Sequence, residues 1–322
     1  MDITVVVPCF NSEKTLERCL NSLINQSIEV SICVIDDGSS DKTLEIARGY
    51  ESNNPNIFVL SQENRGLPQT RKVGVGHSTT KYTAFVDSDD WVEPDMMEQL
   101  YKLAEKYDAE IAACELFYEK NGKTLCPHAY HTGETVTDGV FALKLIHERK
   151  AVYPYMCNKL FLTEIAKQLE FPHGNFVGED YITLCSWIEK CQHVAVTSKA
   201  MYHYELKIGS MSKNGFGLGH KRAFEHYQTA YNKYAQTHTQ KQSQEMANYL
   251  CVEYAALVVA MARNMNVHRE ILGKIQKFLL ENRSAFLKSD TSWEYKLSAL
   301  LISINPFAFI HAYRLLGRLQ AH

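Results

Sequence analysis

Three carboxylates stand within four residues in the run Thr83-Ala84-Phe85-Val86-Asp87-Ser88-Asp89-Asp90-Trp91, at the end of an apolar stretch that reads as a buried strand. Like charges this close repel and raise one another's pKa. A divalent cation removes that conflict, and hard oxygen donors suit Mg²⁺ or Mn²⁺. Acids at the carboxyl end of a strand in an open α/β sheet also sit where such folds bind ligands. The chemistry expected of this run is a metal site that holds a diphosphate. Taken alone, the string also reads as an acidic loop capping the next helix. A second acidic pair, Glu179-Asp180, opens a helix with apolar positions at Ile182, Leu184, Cys185, Trp187 and Ile188. Two acids in a first turn are favourable on dipole grounds alone. Arg71 lies one helical turn after Pro68, and its planar fork suits a base or a diphosphate.

These residues need a frame, and the first hundred positions supply one by alternating strand and helix. Ile3–Pro8, Val30–Ile35, Ile57–Leu60, Tyr82–Val86 and Ile111–Phe117 read as strands. Helical spacing separates them over 12–25, from 41 to about 50, over 68–76 and from 94 to about 107. Such an order predicts a parallel sheet with right-handed crossovers. In a doubly wound sheet the loops after the first strands line a nucleotide crevice. That places Pro8, Phe10 and Asn11 after the first strand and Asp37 after the second. Pro8 has no N–H, so neighbouring backbone groups are free to face a base, and Phe10 either stacks on that base or packs in the core. Asp37 suits a donor such as the uracil imide, or a turn bonding its own backbone. From about 118 to 215 the pattern is mixed. Beyond it, helices are expected over about 220–239, 243–265, 267–287, 292–304 and 306–319, with Asn305-Pro306 marking a break. The division expected is 1–215 and a helical subdomain over 216–322.

Composition is that of an ordinary globular chain, with 45% hydrophobic and 22% charged residues over 322 positions. A net charge of −3 with no dense Lys/Arg stripe argues against a nucleic-acid surface. Nine scattered cysteines show no C-x-x-C pair or zinc spacing, which fits reduced core thiols and a cytoplasmic setting. No signal peptide and no uncharged run long enough to span a bilayer is found.

The set Val5-Val6-Val7-Pro8-Cys9-Phe10-Asn11, then Val34-Ile35-Asp36-Asp37-Gly38-Ser39-Ser40-Asp41, then Asp87-Ser88-Asp89-Asp90, resembles the inverting glycosyltransferases of family 2 with a GT-A fold. Gly66-Leu67-Pro68-Gln69-Thr70-Arg71 and Gly178-Glu179-Asp180 extend the resemblance over roughly residues 1–212. It implies an α/β chain of GT-A type: a Rossmann-like, mostly parallel sheet flanked by helices, with a C-terminal α-helical subdomain. It also implies a hexosyltransferase that moves a sugar from a UDP-sugar to a glycan hydroxyl by direct displacement. On that basis Asp89 ligates Mn²⁺ or Mg²⁺, Asp87 faces the ribose or sugar with Ser88 among the donor-binding residues, and Asp37 reads uracil. Pro8, Phe10, Asn11 and Arg71 complete the donor contacts. Asp180 is the expected general base, with Glu179 beside it. Asn158-Lys159-Leu160-Phe161 resembles a stretch that often precedes the acidic pair, and Lys159 reads as a phosphate contact or a solvated helix residue. Where many relatives carry arginine this chain has Glu205, so the phosphate contact falls to Lys207, Ser210, Ser212 or Lys213. His173 reads as an acceptor-site or loop residue.

Other readings share the residues. A nucleotidyltransferase also uses metal carboxylates, but its Gly-rich basic N-terminal signature is absent. A catalytically silent nucleotide- or glycan-binding subunit is argued against by intact Asp37, Asp89 and Asp180. In the tail, Leu297, Leu300, Leu301 and Ile304, then Phe307, Phe309, Ile310, Tyr313, Leu316 and Leu319, form an amphipathic end with Lys296, Arg314 and Arg318. Such an end over 292–322 suits the inner face of a membrane and a lipid-linked acceptor, a homodimer mate, or internal packing.

Overall fold

The computed structural model describes residues 1–125, 132–150, 152–206, 215–263 and 267–319. The first half runs β1 (Ile3–Cys9), α1 (Leu16–Ile24), β2 (Ser31–Asp36), α2 (Thr43–Asn53), β3 (Ile57–Ser61), α3 (Leu67–His77), β4 (Tyr82–Phe85), β5 (Trp91–Val92) and α4 (Met96–Tyr107). It continues through β6 (Ile111–Lys120), β7 (Lys123–Leu125), β8 (Glu134–Thr137), α5 (Gly139–His147), β9 (Lys159–Leu162), α6 (Thr163–Ala166), α7 (Glu179–Cys185) and β10 (Val194–Glu205).

The path through the sheet is β3-β2-β1-β4-β9-β6-β10-β5, with β7 on β6 and β8 on β10. Strands β1 to β4 are parallel, as the alternation predicts, and β6 is parallel to β10. The sheet is nevertheless mixed. Strand β9 enters between β4 and β6 and runs antiparallel to both. It arrives from the long excursion after β6 rather than by a single crossover helix, so handedness rules for βαβ units do not govern it. One edge therefore gathers the C-terminal ends of β1, β2, β4, β6 and β10 and the start of β9.

Burial explains the apolar runs. Every residue of β1 is buried, as a central strand covered on both faces requires. Helix α1 turns Leu16, Cys19, Leu20 and Leu23 inward, each leucine contributing roughly 1.5–3 kcal/mol. The helix starts later than the spacing suggests. Ser12 instead closes a turn, its carbonyl accepting from Thr15 N–H and Leu16 N–H at 3.0 Å each. The described cysteines are free thiols, all buried except the half-buried Cys185.

The chain forms two compact units. The first holds Met1–Leu143, Ala151–Asn175 and Glu179–Lys207, and the second holds Lys144–Lys150, Phe176–Gly178 and Ile208–His322. The second contains α8 (Leu218–Thr237), α9 (Gln240–Arg263), α10 (Arg269–Lys288), α11 (Trp293–Ile304) and α12 (Pro306–Leu319). Helix α9 is long and apolar enough to cross a membrane, but 72% of its apolar window is buried, as the central helix of a bundle should be. Arg314 of α12 donates from Nε to Ala262 O at 2.9 Å and so caps the C-terminal carbonyls of α9.

His147 lies buried in this second unit, its ring 6.1 Å from Tyr234 and 5.9 Å from Tyr249. Burial, helped by nearby His238, pushes its pKa down from 6.5 to about 3. The folded state thus keeps a neutral ring while the unfolded chain takes up a proton below 6.5. Stability is full above that value and drains away as pH falls toward the folded pKa. Between pH 6.5 and 5 the loss should be about 2 kcal/mol. Urea melts at the two pH values, compared with His147→Phe, should show the variant less sensitive to acid; an equal slope would remove His147 as the cause.

Candidate active site

One arginine organises the acids of the catalytic edge. Arg71 sits on α3, whose entry is set by Gly66 at φ 86°, where a Cβ would come within 2.5 Å of Asn175 Oδ1. Its side chain is buried. Nη2 donates to Asp87 Oδ1 at 2.8 Å, at the end of β4. Nη1 donates to Glu179 Oε1 at 3.0 Å and to Asp180 Oδ1, both in the first turn of α7. The sequence placed Arg71 among the donor contacts; the structure directs both terminal nitrogens to carboxylates. Its Nε finds no partner among the described residues.

That clamp splits the protonation of the acidic pair. Burial, reinforced by the Asp180 charge, raises Glu179 well above the usual carboxylate range despite Arg71. Burial also pushes Asp180 upward, but Arg71, a hydrogen bond from Glu179 and the Met156 N–H overcome it and hold Asp180 below its ordinary value. The Met156 N–H reaches Asp180 Oδ2 at 3.2 Å. The site thus drives the two acids apart, Glu179 toward keeping its proton and Asp180 toward losing it. Asp87 is raised by burial, with Arg71 opposing.

The loop after β4 is tied down from β10 and α1. Asp90 accepts from Tyr202 Oη at 2.7 Å and from Glu205 N–H at 2.8 Å, so it holds the turn. Ser88 Oγ lies 2.8 Å from Ser12 Oγ. Arg18 gave no signal in the sequence beyond a polar helix position. In the structure it donates from Nη2 to the Asp89 carbonyl at 2.7 Å, pairs with Glu205 at 3.2 Å and lies 3.7 Å above the Trp91 ring. Trp91 in turn stacks on His203, and His203 on Phe117, at 4.8 and 4.7 Å. Both His203 nitrogens lie 2.8 Å from carboxylate oxygens, of Glu119 and Glu93. Glu205 thus has its own arginine partner.

On the β1–β2 side, Asn11 at φ 50° pins the two loops together. Its Oδ1 accepts from Ser40 N–H at 2.9 Å, and its own N–H reaches Ser39 Oγ at 2.9 Å. Pro8 is buried within β1, opposite Ile35, whereas Phe10 is 50% exposed. Asp37 is nearly buried and accepts from Gln62 Nε2, Arg65 N–H and Gly66 N–H at 2.8, 2.9 and 2.8 Å. A carboxylate has about four lone-pair positions, so one remains for a ligand N–H.

Against this geometry the comparisons decide the family. The profile described as Glycosyl transferase family 2 matches residues 4–169, just over half the chain. The chain belongs to glycosyl transferase family 2. It is 32% identical over 221 residues to Glycosyltransferase GlyA of Streptococcus pneumoniae, covering 66% of this chain and 31% of that protein. It is 29% identical over 216 residues to the putative glycosyltransferase EpsH of Bacillus subtilis, covering 65% and 62%. The chain therefore spans about a third and under two thirds of these two relatives. Among solved structures, Staphylococcus aureus TarS residues 1–349 in complex with UDP-GlcNAc matches with a TM-score of 0.76 at 18% identity, over 98% of this chain and 92% of that one. At that identity the likeness shows the GT-A fold.

Three expectations for this family 2 chain need further placement. Lys159 is neither a phosphate contact nor a solvated helix residue. It is fully buried at the start of β9, and its Nζ donates to Tyr153 O, Tyr155 O and Asn158 Oδ1 at 2.7, 2.7 and 2.8 Å. Burial lowers its pKa to about 8, and all three ammonium protons are used inside the protein. The string Asn158-Lys159 looked helical because the antiparallel insertion of β9 is a tertiary event. Lys207, with Ser210, Ser212 and Lys213, lies outside the described residues. His173 is exposed, on a segment held by Gln69 Nε2 through the Phe171 and Pro172 carbonyls at 2.9 and 3.0 Å.

A metal was expected at Asp89. Among the described residues no group of three His, Cys, Asp or Glu side chains is arranged to hold one. The donors present fit a hard cation that keeps its waters, takes one or two carboxylates and completes its shell from substrate phosphate. Beside Asp89, three carboxyls (Asp87, Glu179 and Asp180) share a single fully buried guanidinium and Asp90 adds a fourth buried acid without one, so added positive charge is favoured there.

Proposed function

We propose that this chain is a metal-dependent, inverting glycosyltransferase that moves a hexose or N-acetylhexosamine from a UDP-sugar to a hydroxyl of a glycan. The observation that carries the reading is Arg71 bridging Asp87, at the end of β4, to Glu179 and Asp180 on α7. It sets Asp180, whose pKa is held down, beside the acids that end β4, with Glu179, whose pKa is raised, next to it.

In this reading the remaining lone pair of Asp37 accepts the uracil imide N–H, and exposed Phe10 offers a face for the base. A divalent cation at Asp89, when bound, neutralises charge gathering on the leaving diphosphate. Asp180 accepts the acceptor hydroxyl proton while that oxygen bonds to C1 and the bond from C1 to the UDP oxygen breaks. No covalent intermediate on the protein is needed, and C1 inverts. A carboxylate held at low pKa is a weak base, which suffices because the hydroxyl acidifies as its bond to C1 forms.

The test is UDP binding by calorimetry, with Mn²⁺ and with EDTA, followed by UDP release across a panel of UDP-sugars. Metal-dependent binding, and slow hydrolysis of one sugar abolished by EDTA, are expected. Absence of UDP binding would sink the assignment. Binding without turnover on any donor or acceptor would favour the silent subunit.

We also propose a cytoplasmic location at the inner membrane face. On α11 the side chains Trp293, Leu297, Leu301 and Ile304 recur at helical spacing and are 68%, 45%, 45% and 63% exposed. Phe307 and Leu316 of α12 are 52% and 62% exposed. Aromatic and aliphatic groups on one exposed stripe suit an interfacial helix. Flotation with anionic liposomes should recover the protein, and Leu301→Glu with Ile304→Glu should release it. No flotation together with a dimer in light scattering would assign the stripe to a second copy.

A further inference from the structure

Four tyrosines converge at the catalytic edge, and no step described so far uses them. Tyr118 on β6 and Tyr204 on β10 are register partners. Tyr153 and Tyr155 come from the segment that leads into β9. The rings of Tyr153 and Tyr155 are parallel within 7° at 5.9 Å, and those of Tyr155 and Tyr204 within 10° at 6.0 Å. Tyr118 meets Tyr204 edge-on at 6.0 Å. All four are half-buried and pack against the hydrophobic core, so each keeps part of the residue accessible.

The row is joined to the reacting groups at both ends. Tyr155 precedes Met156, whose N–H holds Asp180. Tyr204 precedes Glu205, whose N–H holds Asp90. Its backbone is fixed from beneath, because Lys159 spends two of its three donors on the Tyr153 and Tyr155 carbonyls. A buried ammonium in that role makes a rigid platform, and rigidity lowers the ordering cost of binding.

Sheet order gives the row its direction. The donor loops follow β1 and β2, the Asp87–Asp90 loop follows β4, and the tyrosines lie beyond it, on β6, on β10 and on the segment that leads into β9. A hydroxyl that displaces a diphosphate in line must approach from the side away from the leaving group. That is the tyrosine side. Aromatic side chains with a hydroxyl tip present an apolar face and a polar handle. A pyranose matches that surface, with C–H groups on its faces and hydroxyls on its rim.

We propose that Tyr153, Tyr155, Tyr204 and Tyr118 form the acceptor platform, on which a sugar ring of a glycan chain stacks and presents its hydroxyl to Asp180. The inference rests on the glycosyltransferase reading above. It can be tested separately by saturation-transfer NMR on the full chain with UDP and Mn²⁺, using cellobiose, maltose, lactose and chitobiose as probes. At least one disaccharide should receive saturation on its ring C–H groups in the wild type. Tyr155→Leu and Tyr204→Leu should weaken it by about tenfold or more, with melting temperatures checked against the wild type. Tyr155→Phe and Tyr204→Phe, which keep the ring, should hold affinity within about threefold. If the leucine variants misfold, a wild-type epitope on ring hydroxyls alone would still overturn the platform. So would equal binding by folded leucine variants, or no disaccharide binding by a wild type that binds UDP. A wild type that fails to bind UDP would instead fail the function reading.

Discussion

Asp180→Asn should lower kcat by about 10²–10⁴-fold, the usual worth of a positioned general base, with little change in donor KM. Asparagine keeps the shape and the ability to accept from Met156 N–H, but it cannot take a proton. The fold should survive, because Arg71 keeps Asp87 and Glu179. Glu179 would then lose the neighbouring charge that helps to raise its pKa, and would ionise against Arg71 in its place. The companion substitution Glu179→Gln separates the two acids. Burial raises the Glu179 pKa, so glutamine, which mimics the protonated form, should cost under about tenfold. Single-turnover transfer with both variants decides the matter. A larger loss in Glu179→Gln than in Asp180→Asn would reverse the roles.

Arg71→Met should abolish transfer and destabilise the first unit together. Removing one partner of a buried ion pair leaves uncompensated charge and costs about 3–5 kcal/mol. In a domain of this size that lowers the melting temperature by on the order of 10 °C. The direction of any residual pH dependence also follows. Without the guanidinium, burial and mutual repulsion raise Asp87 and Asp180, so ionising Asp180 requires a higher pH. The acid limb of the rate profile should therefore move to higher pH. Arg71→Lys should recover only part of the loss, because a single ammonium cannot match the fork that spans the three acids. A Met variant that melts like the wild type would show that the carboxyls are neutral without Arg71 and that the clamp is not structural.

Much of this was legible in the chain. Apolar runs and helical spacing located β1 to β4 and their helices, because a central parallel strand must be apolar throughout and a covering helix must turn one stripe inward. The acid strings and the Gly66–Arg71 entry marked the edge that carries chemistry. Residue type alone also predicted that Asp87 and its neighbours need positive charge.

The pairings were decided only by folding. Arg71 meets Asp87 across 16 residues and Asp180 across 109, and no local pattern links an arginine on one helix to acids on another. Which acid stays ionised depends on burial and on a shared guanidinium, and neither is a property of the dipeptide Glu179-Asp180. In sequence Lys159 reads as a phosphate contact or a solvated helix residue and Arg18 as a polar helix position; the entry of β9 buries the first, and the return of the β4 loop past α1 gives the second its contacts. The tyrosine row needs three separate segments brought to one edge. Sequence determined which chemical groups this protein possesses and the strands that carry them, because burial periodicity is local. The tertiary structure alone decided which charges share a proton or a partner, because those energies depend on distance and desolvation between residues far apart in the chain.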